Sequence, residues 1–334
     1  MHLLIVVPPQ VRTTGNRVTA KRLSAGVTAL GHMVTIVPAE PAAISVALER
    51  GVDLALLLHA YRSGQPWLES GATLPYLVLL TGTDYHDGLR HPLHEPVIRD
   101  VLRRAELIVI KNQRDLQSLA QDHPECARRL RYVAPGVVLG DAPCALRDQL
   151  GLSAPDLLLL CPAGIRPVKG VLTLLELCDP VAYRRAFHVA FCGPILDKGY
   201  GEQFLAAVAA RHWAHYVGKL PPAAIPAAMR QADVVLNNSV SEGLPNALVE
   251  AAALGRPILA HAISGNAAVV TEGVNGMLYR DATEFTAAVI RLIDEPALRA
   301  RLSQPNPERF SAKREAQAFA ELCMTVLEEH QLNK

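Results

Sequence analysis

Short apolar runs return along the whole chain, each separated from the next by a turn and a stretch of helical spacing. A first set covers residues 3–7, 33–37, 54–58, 76–80 and 107–110. These runs are rich in Leu, Val and Ile and apolar at successive positions, as expected for strands covered on both faces. A helix over residues 17–30, closed by Gly31, fits between the first two runs. Strands that alternate with helices form parallel sheets through right-handed crossovers. A second set begins after a polar, proline-containing stretch near residues 140–155. It covers residues 157–161, 188–192, 215–217, 234–236, 257–260 and 277–279. The fold class is therefore α/β, with two Rossmann-like, doubly wound domains in tandem, and 334 residues suit two such domains. The expected boundaries are 1–145 for an N-terminal domain and 146–309 for a C-terminal one. Residues 307–331 read as one last helix.

Composition removes several classes of function. The formal net charge is +1, and no basic run or aromatic-basic interleaving suggests a nucleic-acid partner. Cys126, Cys144, Cys161, Cys178, Cys192 and Cys323 are scattered without metal-ligand spacing, so reduced core thiols and a cytoplasmic location are expected. Residues 1–9 are apolar but too short for a signal peptide and read as a first strand. No apolar run has transmembrane length. Arg17, Lys21 and Arg22 share a helix face, for which a solvated surface is expected rather than peripheral membrane docking.

The segment Ser241-Glu242-Gly243-Leu244-Pro245-Asn246-Ala247-Leu248-Val249-Glu250 carries the chemistry. Two glutamates at this spacing usually mean only a solvated helix face. Here the flanks decide otherwise. A strand at 234–236 precedes the pair, another at 257–260 follows it, and Glu242 sits in a small-residue turn before the helix. That helix begins near Pro245, which loses nothing in a first helical turn, and stops at Gly255. Both acids thus stand at the carboxyl end of a parallel strand, where open sheets bind ligands. A helix start attracts phosphate, and an acid one turn further in can accept hydrogen bonds from paired hydroxyls such as those of a ribose. Loop, amides and acid together read as a seat for a nucleotide sugar.

Residues 232–279 resemble the signature region of the family-4 retaining glycosyltransferases, whose Glu-x7-Glu element is matched by Glu242 and Glu250. Gly15-Asn16-Arg17-Val18-Thr19-Ala20, Leu58-His59-Ala60-Tyr61-Arg62, Gly82-Thr83-Asp84, Arg166-Pro167-Val168-Lys169 and Ser264-Gly265-Asn266-Ala267-Ala268-Val269-Val270 are similar to a narrower group containing the vertebrate glycosyltransferase 1 domain-containing proteins. Bacterial selenosugar synthases share the Gly-Asn-Arg-Val-Thr-Ala and Thr-Gly-Thr-Asp elements. The resemblance implies a GT-B fold, with the final helix, about 310–334, crossing back to the N-terminal domain and a nucleotide-sugar site in the C-terminal one.

The departing diphosphate gathers negative charge and needs fixed positive charge beside it. Arg166 and Lys169, after the strand at 157–161, supply it and are expected to be catalytic together with Glu242. The resemblance implies that Glu242 touches the transferred sugar and Glu250 the ribose. Gly243, Leu244 and Asn246 are expected to line the donor pocket, and Gly15 and Asn16 to face the donor from a turn after the first strand. His59, Arg62 and Asp84 gather at the carboxyl ends of the third and fourth strands and read as acceptor or sugar contacts, as do Arg17 and Thr81. Thr81 stands where many relatives carry a histidine. Asn266 replaces the second of two usual glycines, and Ala268 replaces an acid. No Asp-x-Asp pair occurs, so no metal and no cofactor is expected, the UDP-sugar being the substrate.

These readings favour a metal-independent retaining transfer from a UDP-sugar to a small-molecule acceptor. Three alternatives stay open: a selenosugar synthase joining selenophosphate to UDP-N-acetylglucosamine, with Arg17 and Arg62 facing the anion; a nucleotide-sugar 2-epimerase; and a non-catalytic nucleotide-sugar sensor.

Overall fold

The structure, a computed structural model, describes residues 1–9 and 15–332. The chain forms two compact units, Met1–Val138 with Phe310–Lys334, and Leu139–Arg309.

Unit 1 holds β1 (His2–Val7), β2 (Met33–Pro38), β3 (Leu54–Leu58), β4 (Tyr76–Leu79), β5 (Leu107–Ile110) and β6 (Leu130–Tyr132). They form one parallel sheet in the order β2-β1-β3-β4-β5-β6. Successive residues of β1 are buried because each face of the sheet has its own cover. Leu4 and Val6 meet Trp67, Ile98 and Val101, while Leu3 and Ile5 meet Leu23, Val27 and Phe319. This double burial removes the polar alternation of a half-exposed strand. A fully buried side chain such as Phe319 contributes about 1.5–3 kcal/mol.

The last helix, Ala312–Leu332, belongs to unit 1 and packs on the helix Gly15–Ala29. A Cβ on Gly26 would lie 2.5 Å from Ala316 Cβ, so a larger residue there would push the two helices apart. The helix starts later than the expected 307. Pro307–Phe310 form a 3-10 turn, and Ser311 bridges to Val137 as a strand would. That bridge commits the Ser311 backbone and delays the helix to Ala312.

Unit 2 holds β7 (Leu158–Pro162), β8 (His188–Cys192), β9 (Ala214–Tyr216), β10 (Val234–Asn237), β11 (Ile258–His261) and β12 (Gly276–Tyr279), in the order β12-β11-β10-β7-β8-β9. All neighbours are parallel. Leu159, Val189, Phe191, Phe204, Phe285 and Leu292 fill one core beside this sheet. The chain leaves β7 toward β8 on one side, and β10 returns to its other side. The sheet order therefore reverses between β7 and β10, the topological switch point at which open sheets bind ligands.

Candidate functional site

The loop after β7 and the loop after β10 meet at that switch point. Val240 N–H donates to Val168 O at 3.0 Å. Asn238 Nδ2 donates to Gly170 O at 2.7 Å, and Tyr279 OH donates to Asn238 Oδ1 at 2.5 Å. Gly170 has φ +57°, and a Cβ there would lie 2.5 Å from Asn238 O, so only glycine suits this close approach. The joined loops set Lys169 against Glu242. Lys169 Nζ is ion-paired with Glu242 Oε1, the two side chains being 18% and 14% exposed. The same oxygen accepts from Ser239 Oγ at 2.9 Å. A cation and an anion are thus preplaced, partly buried, at the rim of a parallel sheet, where charge acts more strongly than in open water.

Arg166 lies in the same loop but is exposed, with extended backbone at the start of the turn Pro167–Lys169. The structure brings Lys169 and Glu242 together and leaves Arg166 on the surface. Gly243, Leu244, Asn246 and Glu250 are half-buried. Asn246 opens the helix Asn246–Ala253, with extended Pro245 as its cap, and Glu250 follows in the second turn. Gly255 closes the segment at φ +65°. Gly265 presses on the Glu242 backbone: a Cβ would lie 2.3 Å from Glu242 O.

In unit 1 a second polar cluster forms at the carboxyl ends of β3 and β4. The carboxylate of fully buried Asp84 lies against His59 Nδ1 and accepts from Thr81 N–H at 2.9 Å and Thr81 Oγ1 at 3.1 Å. Among the described residues His59 is the non-glycine with positive φ, +94°. Such backbone strain costs on the order of 1–3 kcal/mol and collects at functional sites. Asp84 lies in the π-turn Thr83–Asp87, another local irregularity common at such sites. Arg62 meets His59 through its backbone N–H, 3.2 Å from Nδ1, while its side chain is exposed. Tyr61, His94 and His91 stack beside this cluster at 3.9 Å steps. Gly15, Asn16 and Arg17 form the first turn of the helix Gly15–Ala29, with Gly15 and Arg17 exposed.

One expectation is overturned. Arg22 is not on a solvated face. Its guanidinium forks onto Glu315 at 2.6 and 3.1 Å, and Lys111 Nζ joins the same carboxylate. Sequence reasoning also missed Asn237, Asn238, Ser239 and Tyr279, which with Asn266 hold the Lys169–Glu242 loops. The available signal was the polar triplet Asn237-Asn238-Ser239 directly after the apolar residues of β10.

Among the described residues no group of three or more His, Cys, Asp or Glu is placed to hold a metal, and no helix is long and apolar enough to cross a membrane. Residues 156–295 match the family described as "Glycosyl transferases group 1". Glycosyltransferase 1 domain-containing protein 1 of Xenopus tropicalis is 23% identical over 316 residues, covering 89% of each chain. Sucrose-phosphate synthase of Thermosynechococcus elongatus superposes with a TM-score of 0.83 over 98% of this chain and 99% of that one, at 16% identity. HepE of Anabaena, in complex with UDP-glucose, superposes with a TM-score of 0.77 over 97% and 100%, at 18% identity. The chain accordingly has the GT-B fold, and the stretch that matches the group 1 glycosyl transferases contains the Lys169–Glu242 pair.

Proposed function

We propose that the protein is a retaining, metal-independent glycosyltransferase that moves a sugar from a UDP-sugar to a small-molecule acceptor. The observation that carries this reading is the Lys169–Glu242 pair at the switch point of unit 2. When the bond from the anomeric carbon to the β-phosphate oxygen breaks, its electron pair stays on the diphosphate. Lys169, with Arg166 recruited from the surface, stabilises that charge, and no metal is required. The acceptor attacks the anomeric carbon from the face the diphosphate leaves, and its proton passes to a phosphate oxygen. Glu242, released from Lys169 as the ammonium turns to the diphosphate, contacts the sugar. Glu250 accepts the ribose hydroxyls, while Gly243, Leu244 and Asn246 line the donor. HepE, a protein of the same fold, is seen in complex with UDP-glucose, which supports the nucleotide assigned here.

Unit 1 supplies acceptor contacts in this reading. His59, Thr81 and Asp84 form the rigid part, and Arg17 and Arg62, both exposed, provide charge for an anionic acceptor.

The test is turnover of UDP-glucose and UDP-N-acetylglucosamine, beside GDP- and ADP-sugars, in chelator, with and without selenophosphate. We expect release of UDP and an unchanged anomeric configuration in the product, with turnover slowed by about 10²–10³-fold, but still measurable, in Lys169→Met and Glu242→Gln. Tight UDP binding with no turnover of any donor refutes transfer in favour of a sensor. An epimer formed from donor alone refutes it in favour of isomerisation.

A further inference from the structure

Glu242 is steered by hydrogen bonds that begin beside the neighbouring strand, β11. Asn266, in the helix Ser264–Ala267, is fully buried. Its Nδ2 donates to His261 O at 2.9 Å and to Asn237 Oδ1 at 3.3 Å, tying the ends of β11 and β10 together. Asn237 Oδ1 also accepts Ser239 N–H at 2.9 Å. Ser239 Oγ then donates to Glu242 Oε1, the oxygen that faces Lys169. From the other side His261 Nδ1 lies 3.1 Å from Ser239 O. The three-residue link from Asn237 to Ser239 is thus fixed at both ends before it reaches Glu242.

The other end of the Asn266 amide tells what the residue is for. Its Oδ1 is buried with no hydrogen-bond partner among the described residues. An unpaired buried carbonyl is unfavourable, and an apolar residue would fill the same space without that cost. What the amide contributes is its nitrogen, which serves two acceptors at once.

We propose that Asn266 is a positioning residue for sugar transfer: through Asn237 and Ser239 it fixes the Glu242 carboxylate beside Lys169 and keeps it in place for the sugar when the ammonium turns to the diphosphate. The proposal rests on the reading of Glu242 as the sugar-contacting acid. Gly265, whose Cβ would collide with Glu242 O, lets the Asn266 helix sit close enough to act.

The experiment uses the full chain with Asn266→Gly and Asn266→Asp. The aspartate keeps the shape but replaces the donor with an acceptor. With UDP-glucose we expect kcat to fall on the order of tenfold to a hundredfold, the size of effect expected from slight misplacement. UDP affinity should stay within about twofold. In a Glu242→Gln background the same changes should add less than about twofold, because residues that act through one group are not additive. Full multiplication of the two losses overturns the proposal.

A second readout needs no turnover. In ¹⁵N-lysine spectra, the Lys169 ammonium signal, identified by its loss in Lys169→Met, should exchange slowly with water in the unsubstituted protein. It should exchange fast in Asn266→Gly and in Glu242→Gln. A signal that stays protected in Asn266→Gly, or is unprotected from the start, overturns the proposal. Should Asn266→Gly fail to fold, Ser239→Ala breaks the next link and must give the same result. Absence of turnover in the unsubstituted protein would refute the transfer reading alone, while the ammonium spectra still decide the role of Asn266.

Discussion

Glu315→Gln should be among the most damaging single changes in unit 1, and its cost should depend on pH. The Glu315 carboxylate is fully buried, and the Arg22 and Lys111 side chains beside it are 8% and 11% exposed. Burial alone would raise the Glu315 carboxyl, but Lys111 and Arg22 outweigh it and hold the group below the usual carboxylate range. Burial pushes the Lys111 ammonium down, and Glu315 opposes that. Glutamine keeps a carbonyl that Arg22 can still use, so the stranded charge is chiefly Lys111. Breaking a buried pair costs roughly 3–5 kcal/mol. The ceiling comes from proton release: shedding a proton at pH 7 costs a lysine about 4.6 kcal/mol, from about 1.36 kcal/mol per pH unit and an ordinary pKa near 10.4.

The sign follows from linkage. A lysine whose folded pKa is lowered binds fewer protons folded than unfolded, so stability rises with pH through the window between the two values. In Glu315→Gln that window widens downward. The stability gap to the unsubstituted protein should therefore narrow between pH 7 and pH 9, by at most about 2.7 kcal/mol. Urea unfolding at both pH values measures it. Adding Lys111→Met removes the stranded charge and should restore most of the loss at pH 7. A gap below about 1 kcal/mol at pH 7, or a pH-independent gap that Lys111→Met fails to relieve, would refute the buried-charge reasoning.

The remaining predictions concern unit 2. Lys169→Met should lower kcat/KM for a UDP-sugar by about 10²–10³-fold, read by UDP release, as for other lost transition-state charge. Arg166→Ala should raise donor KM yet move unfolding stability by less than about 0.5 kcal/mol, because the side chain is exposed before donor arrives. His188 Nδ1 and His215 Nε2 lie 3.0 Å apart, and burial lowers both rings below the ordinary histidine pKa. The unfolded rings therefore take up protons first. Stability should fall as pH drops through the ordinary histidine value near about 6.5, and denaturant titrations of His188→Gln should show a shallower fall.

What the sequence revealed follows the range over which each feature is encoded. A strand covered on both faces is a continuous apolar run, so β1, β3 and β5 are legible from composition along a few residues. β6 is not, since Leu130 is buried but Arg131 and Tyr132 are exposed, and a three-residue edge strand has no period to detect. Glu242 and Glu250 were legible because one strand, turn and helix place them, all within neighbouring residues. Lys169 joined them through a second local signal, a basic loop after a buried strand. The Arg22–Glu315–Lys111 cluster shows where such reading stops. Its hydrogen bonds span 293 and 204 positions, and nothing near Arg22 announces Glu315. A basic residue on an amphipathic helix is solvated unless a distant segment covers it. Here that segment is the chain's last helix, and the residue covering Arg22 supplies the charge that permits its burial. The pairing also explains why an acid can sit fully buried in the first turn of that helix: two cations from unit 1 are already there to receive it.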